Sequence, residues 1–211
     1  YLAKGDCERS YADALKVLSL NSKYWRAFEY LIVIPLIKGD HVSAIKAADQ
    51  LIAQYPGAAV GYADKASCCF CMGDLQQAAK LADKALALQP DSQRALQIGI
   101  FVAARLGEEK KLRVFLERAE KLDLGGATVA KDRVISLLSL KRYQEALALC
   151  DATIAKEAAE GRQYRSGTTY RLRSEAYRRL NLNELADGDM KKALAQGYQK
   201  RSVLELYLKL L

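Results

Sequence analysis

The sequence has few of the residues on which catalytic and metal sites usually depend. It contains a single histidine, His41, so a histidine-based metal pair or catalytic triad has no second member. Neither a glycine-rich phosphate loop nor a nucleophile elbow occurs along the chain. These absences predict a protein that is not an enzyme and that uses no cofactor.

Prolines and long apolar runs are also scarce. Only 3 prolines occur among 211 residues, which leaves most of the chain able to form helices. No run of about 18 or more uncharged apolar residues is present, so no transmembrane helix is predicted. The first residues lack the basic, apolar and small-residue layout of a signal peptide.

The 5 cysteines include a cluster of three, Cys68, Cys69 and Cys71. On a helix Cys68 and Cys69 point about 100° apart, and no second cysteine pair with zinc-ligand spacing follows. We interpret the cluster as small buried apolar residues, and no metal site is predicted. An odd number of cysteines in a helical chain fits a reducing compartment, so the expected location is cytoplasmic.

What the sequence does contain is a repeat with a period of 34 residues. A glycine followed by an acidic residue occurs at that interval as Gly5-Asp6, Gly39-Asp40, Gly73-Asp74 and Gly107-Glu108. Apolar or small residues spaced by three and four positions stand before and after these pairs, which indicates helix, turn and helix. The acid is expected to cap the second helix. A period of about 20 to 50 residues is typical of a stacked-repeat solenoid.

The unit from Ala59 to Ser92 resembles the tetratricopeptide repeat (TPR) family. Its aromatic, turn, alanine and proline positions are occupied by Tyr62, Gly73, Asp74, Ala78, Ala85 and Pro90. The resemblance implies an all-α fold, a right-handed superhelix of stacked antiparallel helix pairs. It places a partial repeat at 1–24, full repeats at 25–58, 59–92, 93–126, 127–160 and 167–200, and an apolar terminal helix at 201–211.

Three places depart from the family pattern. Lys141-Arg142 replaces the Gly-Asp pair of the fourth repeat, and six extra residues, 161–166, predict a longer loop before the fifth. Pro35 stands at the eleventh place of a first helix, where proline is expected to kink the helix.

The two ends of the sequence lie within incomplete repeats. Tyr1 and Leu211 both occupy the eleventh place of their repeats, so we expect the chain to be a fragment of a larger TPR protein. The terminal helix is apolar around most of its circumference. Self-assembly through this helix is the alternative function, and the residues predicted for it are Leu204, Tyr207, Leu208 and Leu211.

The resemblance also implies a binding surface. In the TPR family the first helix of each repeat lines a concave groove and presents a fixed set of places to a ligand. The groove residues carried over from this register are Arg26, Tyr30, Val33, Ile37, Asp64, Ser67, Phe70, Arg94, Ile98, Phe101, Arg105, Lys131, Ile135, Arg171, Glu175, Arg178 and Arg179. The expected function is a non-catalytic protein–protein interaction scaffold that binds a peptide or helical segment of a partner there.

The net charge of +8 is concentrated in the last third of the chain. Arg171, Arg178 and Arg179 are expected to pair with acidic groups of the partner, while apolar groove residues bury its anchors. Arginines interleaved with Tyr170 and Tyr177 could also stack on RNA bases. Because the helical period already explains both tyrosines, RNA binding ranks third, after self-assembly.

Overall fold

A computed structural model of the chain describes residues 6–122, 126–161 and 166–198, together with Leu204 and Leu208. The side chains of residues 126–129 are outside this description. The described residues form eleven α-helices and no β-strand. The helices are α1 (Cys7–Leu20), α2 (Arg26–Lys38), α3 (His41–Gln54), α4 (Ala59–Cys71), α5 (Leu75–Leu88), α6 (Gln93–Leu106), α7 (Glu109–Lys121), α8 (Gly126–Ser139), α9 (Tyr143–Ala159), α10 (Gly167–Arg179) and α11 (Asn183–Ala195).

The predicted turns are confirmed by the backbone between the two helices of each pair. Gly39, Gly73 and Gly107 have φ values of 83°, 83° and 71°, in the left-handed region that glycine adopts without steric cost. Lys141 and Asn181 hold the same place in the last two pairs, with φ values of 59° and 60°. The last two turns therefore keep the same backbone geometry although they lack the glycine. Gly5 lies outside the described residues.

Capping by the acid that follows the turn depends on its side-chain length. Asp40 and Asp74 each accept a hydrogen bond at 3.0 Å from the backbone N–H three residues on. Glu108 makes no such bond, so the expectation of a cap is wrong at the third pair. The extra methylene of glutamate carries its carboxylate past the N–H groups that aspartate reaches, and glutamate is not among the preferred N-caps.

Residues 6–102, with Leu204 and Leu208, form one compact unit among the described residues. Helix α2 packs on both α3 and α4, α1 packs on α2, and α4 packs on α5. Large side chains of α2, such as Phe28 and Ile32, meet alanines of α3, Ala44 and Ala48, and all four are buried in one core. The small residues let the helices approach closely, which is how the 34-residue register becomes a packed core.

Helix α2 continues through Pro35 to Lys38 as one helix, with the Pro35 ring buried. The carbonyl of Pro35 accepts a hydrogen bond of 2.9 Å from the N–H of Asp40, just past the turn. Proline therefore sits in the last turn of α2, where only one backbone hydrogen bond is removed.

The second compact unit runs from Ala103 to Tyr198 among the described residues. In it α8 packs on α9, α9 on α10, and α10 on α11. Helices α8 and α10, which are each the first helix of a pair, also contact one another. Its buried core includes Cys150, Leu172, Ala176, Ala186 and Ala193. Across the described part of the chain, none of the helices combines the length and the apolar character that crossing a membrane requires.

Candidate partner-binding surface

Arg94 joins three first helices of the first unit. From the start of α6, its Nη1 contacts both carboxylate oxygens of Asp64 on α4, at 2.9 and 3.1 Å. The same nitrogen lies 3.4 Å from Oε1 of Glu29 on α2. These contacts place one face of α2, α4 and α6 side by side.

Burial governs the electrostatics of this contact. Asp64 is only 4% exposed, and loss of water raises the pKa of its carboxyl to about 6, with Arg94 opposing the rise and Glu29 adding to it. Desolvation of Asp64 thus outweighs the attraction of the arginine. The side chain of Arg94 is 38% exposed, so part of its guanidinium remains open to a ligand.

We call Glu29, Tyr30, Val33, Ser67 and Arg94 the first-helix face, because they lie on the three helices that Arg94 joins and are at least partly exposed. Val33 follows Glu29 by four positions on α2, and Ser67 follows Asp64 by three on α4, so each lies one turn further along the same side. Tyr30 is 41% exposed, while Val33 and Ser67 are half-buried. These accessible side chains lie on α2 and α4, the two helices whose acids Arg94 contacts.

Other predicted groove residues belong to the core instead. Phe70 and Phe101 are each 2% exposed, and their ring centroids lie 6.5 Å apart, so the two rings join α4 to α6. Ile98 and, in the second unit, Ile135 are also buried. Side chains enclosed in this way are not exposed anchors for a partner. They hold the first helices together and thereby support the accessible residues.

The remaining predicted groove residues differ in how far they are buried. Arg26 is exposed and its guanidinium lies 5.6 Å from the ring centroid of Trp25. Ile37 and Lys131 are half-buried, and Arg105 is exposed. These four residues remain predicted groove positions.

The basic residues of α10 are engaged by acids of the same unit. Arg171, which is buried, lies 3.1 Å from one oxygen of Glu175, and Arg179 lies 3.0 Å from the other. Arg178 lies 3.4 Å from Asp187 on α11. These three arginines are therefore not unpaired positive charges, because the fold places a carboxylate beside each of them.

Sequence reasoning missed the central role of Arg173. Its guanidinium binds both carboxylate oxygens of Asp189 on α11, at 2.6 and 2.9 Å, and Asp151 on α9 at 2.5 Å. It also lies 5.3 and 5.8 Å from the ring centroids of Tyr170 and Tyr177. Hydrogen bonding to Asp189 raises the pKa of Arg173. The spacing of Tyr170 and Tyr177, three before and four after Arg173, indicates this arrangement on a helix.

The residues predicted for self-association are only partly described. Leu208 is 2% exposed and Leu204 is half-buried, so the Leu208 side chain is already enclosed within the chain. Tyr207 and Leu211 lie outside the described residues.

The cysteine cluster lies on α4 behind the first-helix face. Cys68 and Cys69 are buried and Cys71 is half-buried. Burial raises the pKa of Cys68 and of Cys71 to about 12, and the carboxylate of Asp64 acts in the same direction on Cys68. These thiols stay protonated at neutral pH, which suits packing rather than nucleophilic chemistry. Within the described residues, no three His, Cys, Asp or Glu side chains are grouped to hold a metal ion.

Comparison with known proteins identifies the fold. No protein-family model and no curated protein matches the sequence. Among solved structures, the chain is similar over its whole length to a tetratricopeptide repeat protein from Parabacteroides merdae ATCC 43184, at 16% identity and a TM-score of 0.54, covering 95% of that chain. It is similar to a chain of the APC/C hetero-tetramer Cut9-Hcn1 at 15% identity and a TM-score of 0.69, over all of this chain and 41% of that one.

A third similar structure is YrrB, a TPR protein with an unusual peptide-binding site. The identity is 16% and the TM-score 0.50, over 94% of this chain and 98% of YrrB. The chain therefore has the fold of tetratricopeptide repeat proteins.

Proposed function

We propose that the chain is a non-catalytic protein-interaction scaffold whose first-helix face binds a helical or extended segment of a partner protein. The observation that carries the proposal is the contact of Arg94 with Asp64 and Glu29, at 2.9 and 3.4 Å. It aligns three helices, so the accessible residues beside it form one surface instead of three isolated helix edges. The chain shares its fold with YrrB, a TPR protein that has a peptide-binding site, and this likeness supports the proposal that it binds a partner segment.

The chemistry of this face suits a segment with apolar anchors and polar groups. Tyr30 and Val33 offer apolar area on α2, and an exposed aromatic is a favoured anchor point in interfaces. The open part of the Arg94 guanidinium can donate to a carboxylate or a backbone carbonyl. Phe70 and Phe101 keep the supporting helices fixed beneath, so the surface needs little rearrangement on binding.

The test uses a matched pair of substitutions. Partners are first captured from the native host with the full chain and identified by mass spectrometry, and the bound segment is then synthesised as a labelled peptide. Val33→Asp introduces a charge into the first-helix face, while Val42→Asp introduces the same charge on α3, where Val42 is 80% exposed. Fluorescence anisotropy should show affinity falling by about tenfold or more for Val33→Asp and no change for Val42→Asp.

Circular dichroism of both variants confirms that each stays folded. Equal affinities for the two variants would place the partner elsewhere and would refute the proposal.

A further inference from the structure

The cluster around Arg94 contains more negative than positive charge. The guanidinium of Arg94 lies 2.9 Å from the carboxylate of Asp64 and 3.4 Å from that of Glu29, so two acids share one cation. The two acids repel one another, because Glu29 contributes to the raised pKa of the Asp64 carboxyl, which is about 6. Both carboxylates are mostly ionised at neutral pH, and the cluster then has one uncompensated negative charge.

Glu29 is the acid through which this charge is accessible. The hydrogen bonds that Nη1 of Arg94 donates go to the two oxygens of Asp64. Within the described part of the chain, no group donates a hydrogen bond to the Glu29 carboxylate, and the side chain is 31% exposed. A carboxylate that has lost much of its water without gaining a donor is unfavourable, so a donor from a bound partner would stabilise it.

The nearest basic residues on the same helices are directed elsewhere. Arg26, three positions before Glu29 on α2, has its guanidinium 5.6 Å from the ring centroid of Trp25 and forms no ion pair with a described residue. Lys65 on α4 binds Asp49 on α3 at 2.6 Å. Neither of these two cations therefore neutralises the cluster.

The apolar surface next to Glu29 suits a long basic side chain. Val33 lies one helical turn after Glu29 on α2 and is half-buried, so part of its apolar area remains accessible. Lysine and arginine have aliphatic stems that cover apolar surface while their charged ends reach a nearby carboxylate. A basic residue can therefore contact Val33 and Glu29 together.

We propose that the segment bound by the first-helix face presents a lysine or arginine to Glu29. The charged end of that residue donates hydrogen bonds to the Glu29 carboxylate, and its stem packs on Val33. The added positive charge neutralises the cluster of Glu29, Asp64 and Arg94. This partner chemistry rests on the proposed function, because it requires that a segment binds at this face.

Selection of peptides without a preset sequence tests this chemistry. Random peptides displayed on phage are selected on the full chain, and the binders are synthesised with a fluorescent label and titrated by anisotropy. Peptides that use the first-helix face are those whose affinity falls with Val33→Asn but not with Val42→Asn, the same uncharged change at an exposed position of α3. We expect these peptides to share a lysine or arginine.

The contact with Glu29 is measured with one peptide of this group. Glu29→Gln should weaken its binding by about tenfold, because a charged hydrogen bond is lost. Glu117→Gln makes the same change at an exposed position of α7 and should alter the affinity by less than about twofold. Circular dichroism confirms that both variants stay folded.

A charge exchange separates a direct contact from loss of structure. The basic residue of the peptide is replaced by glutamate, which should weaken binding to the wild type. This altered peptide should bind Glu29→Lys better than it binds the wild type, a reversal that a damaged fold would not produce.

The outcomes distinguish this partner chemistry from the proposed function. If peptides that respond to Val33→Asn share no basic residue, or if Glu29→Gln and Glu117→Gln have equal effects, the face still binds a segment but the predicted contact with Glu29 is wrong. If none of the selected peptides responds to Val33→Asn, the proposed function and the contact with Glu29 are both overturned.

Discussion

Replacement of Asp64 by asparagine should remove a pH-dependent part of the free energy of unfolding. Asp64 is 4% exposed, and its carboxyl lies 2.9 Å from Arg94. Glu29, the other acid near Arg94, is on the same face and 3.4 Å from that arginine. Asparagine keeps the shape and a hydrogen-bond acceptor for Arg94 but carries no charge to desolvate.

The magnitude follows from the shifted pKa. The carboxyl moves from an ordinary value of 3.8 to about 6 in the folded chain, and each pKa unit corresponds to about 1.4 kcal/mol. The folded state then binds the Asp64 proton more tightly than the unfolded state, so raising the pH through about 6 destabilises the fold. From roughly pH 4 to above pH 7 the wild type should lose about 3 kcal/mol through this group.

Urea unfolding followed by far-UV circular dichroism measures the effect at a series of pH values. The quantity of interest is the stability of wild type minus that of Asp64→Asn, which should decrease by about 3 kcal/mol as the pH rises across that window. Asp91→Asn, at an exposed position, should run parallel to the wild type. If the stability advantage of the wild type over Asp64→Asn stays constant or grows with pH, the attraction of Arg94 exceeds the desolvation of Asp64 and this prediction is wrong.

Two further predictions concern the second unit and the repeat turns. Arg173→Ala leaves the buried carboxylate of Asp189 without its paired guanidinium and should lower the free energy of unfolding, measured with urea, by about 3 to 5 kcal/mol. Arg178→Ala, at an exposed ion pair, should lower it by less than about 1 kcal/mol. Equal effects of the two would contradict the structural role of Arg173. Gly73→Ala forces a φ of 83° on a residue with a Cβ and should lower the free energy of unfolding by about 1 to 2 kcal/mol. Gly188 lies in helix α11 with open space around a new methyl group, so Gly188→Ala should raise the free energy of unfolding by about 1 kcal/mol. Thermal unfolding that ranks these two variants in the opposite order would show that backbone conformation does not set their effects.

The sequence was sufficient to predict the helix pairs and their turns. The 34-residue period and the spacing of apolar residues are local properties, and the left-handed backbone at Gly39 and Gly73 follows from them directly. Lys141 is not a glycine but adopts the same left-handed backbone conformation, because packing of the flanking helices fixes the turn.

The depth of each groove residue could not be predicted in the same way. Register determines the direction in which Phe70 and Phe101 point along α4 and α6, but their burial depends on how closely the neighbouring helices approach. Likewise, charge counted along the sequence indicated free arginines on α10, whereas the i,i+4 spacing of Arg171, Glu175 and Arg179 already indicated internal pairing.

Photo-crosslinking from the first-helix face tests whether a partner segment binds there. A benzophenone amino acid at position 67 faces the proposed partner segment, and the same amino acid at position 42 projects from α3 as a control. With the partner identified by affinity capture, we expect a crosslinked product from position 67 and none from position 42. Crosslinking from position 42 with none from position 67 would contradict it.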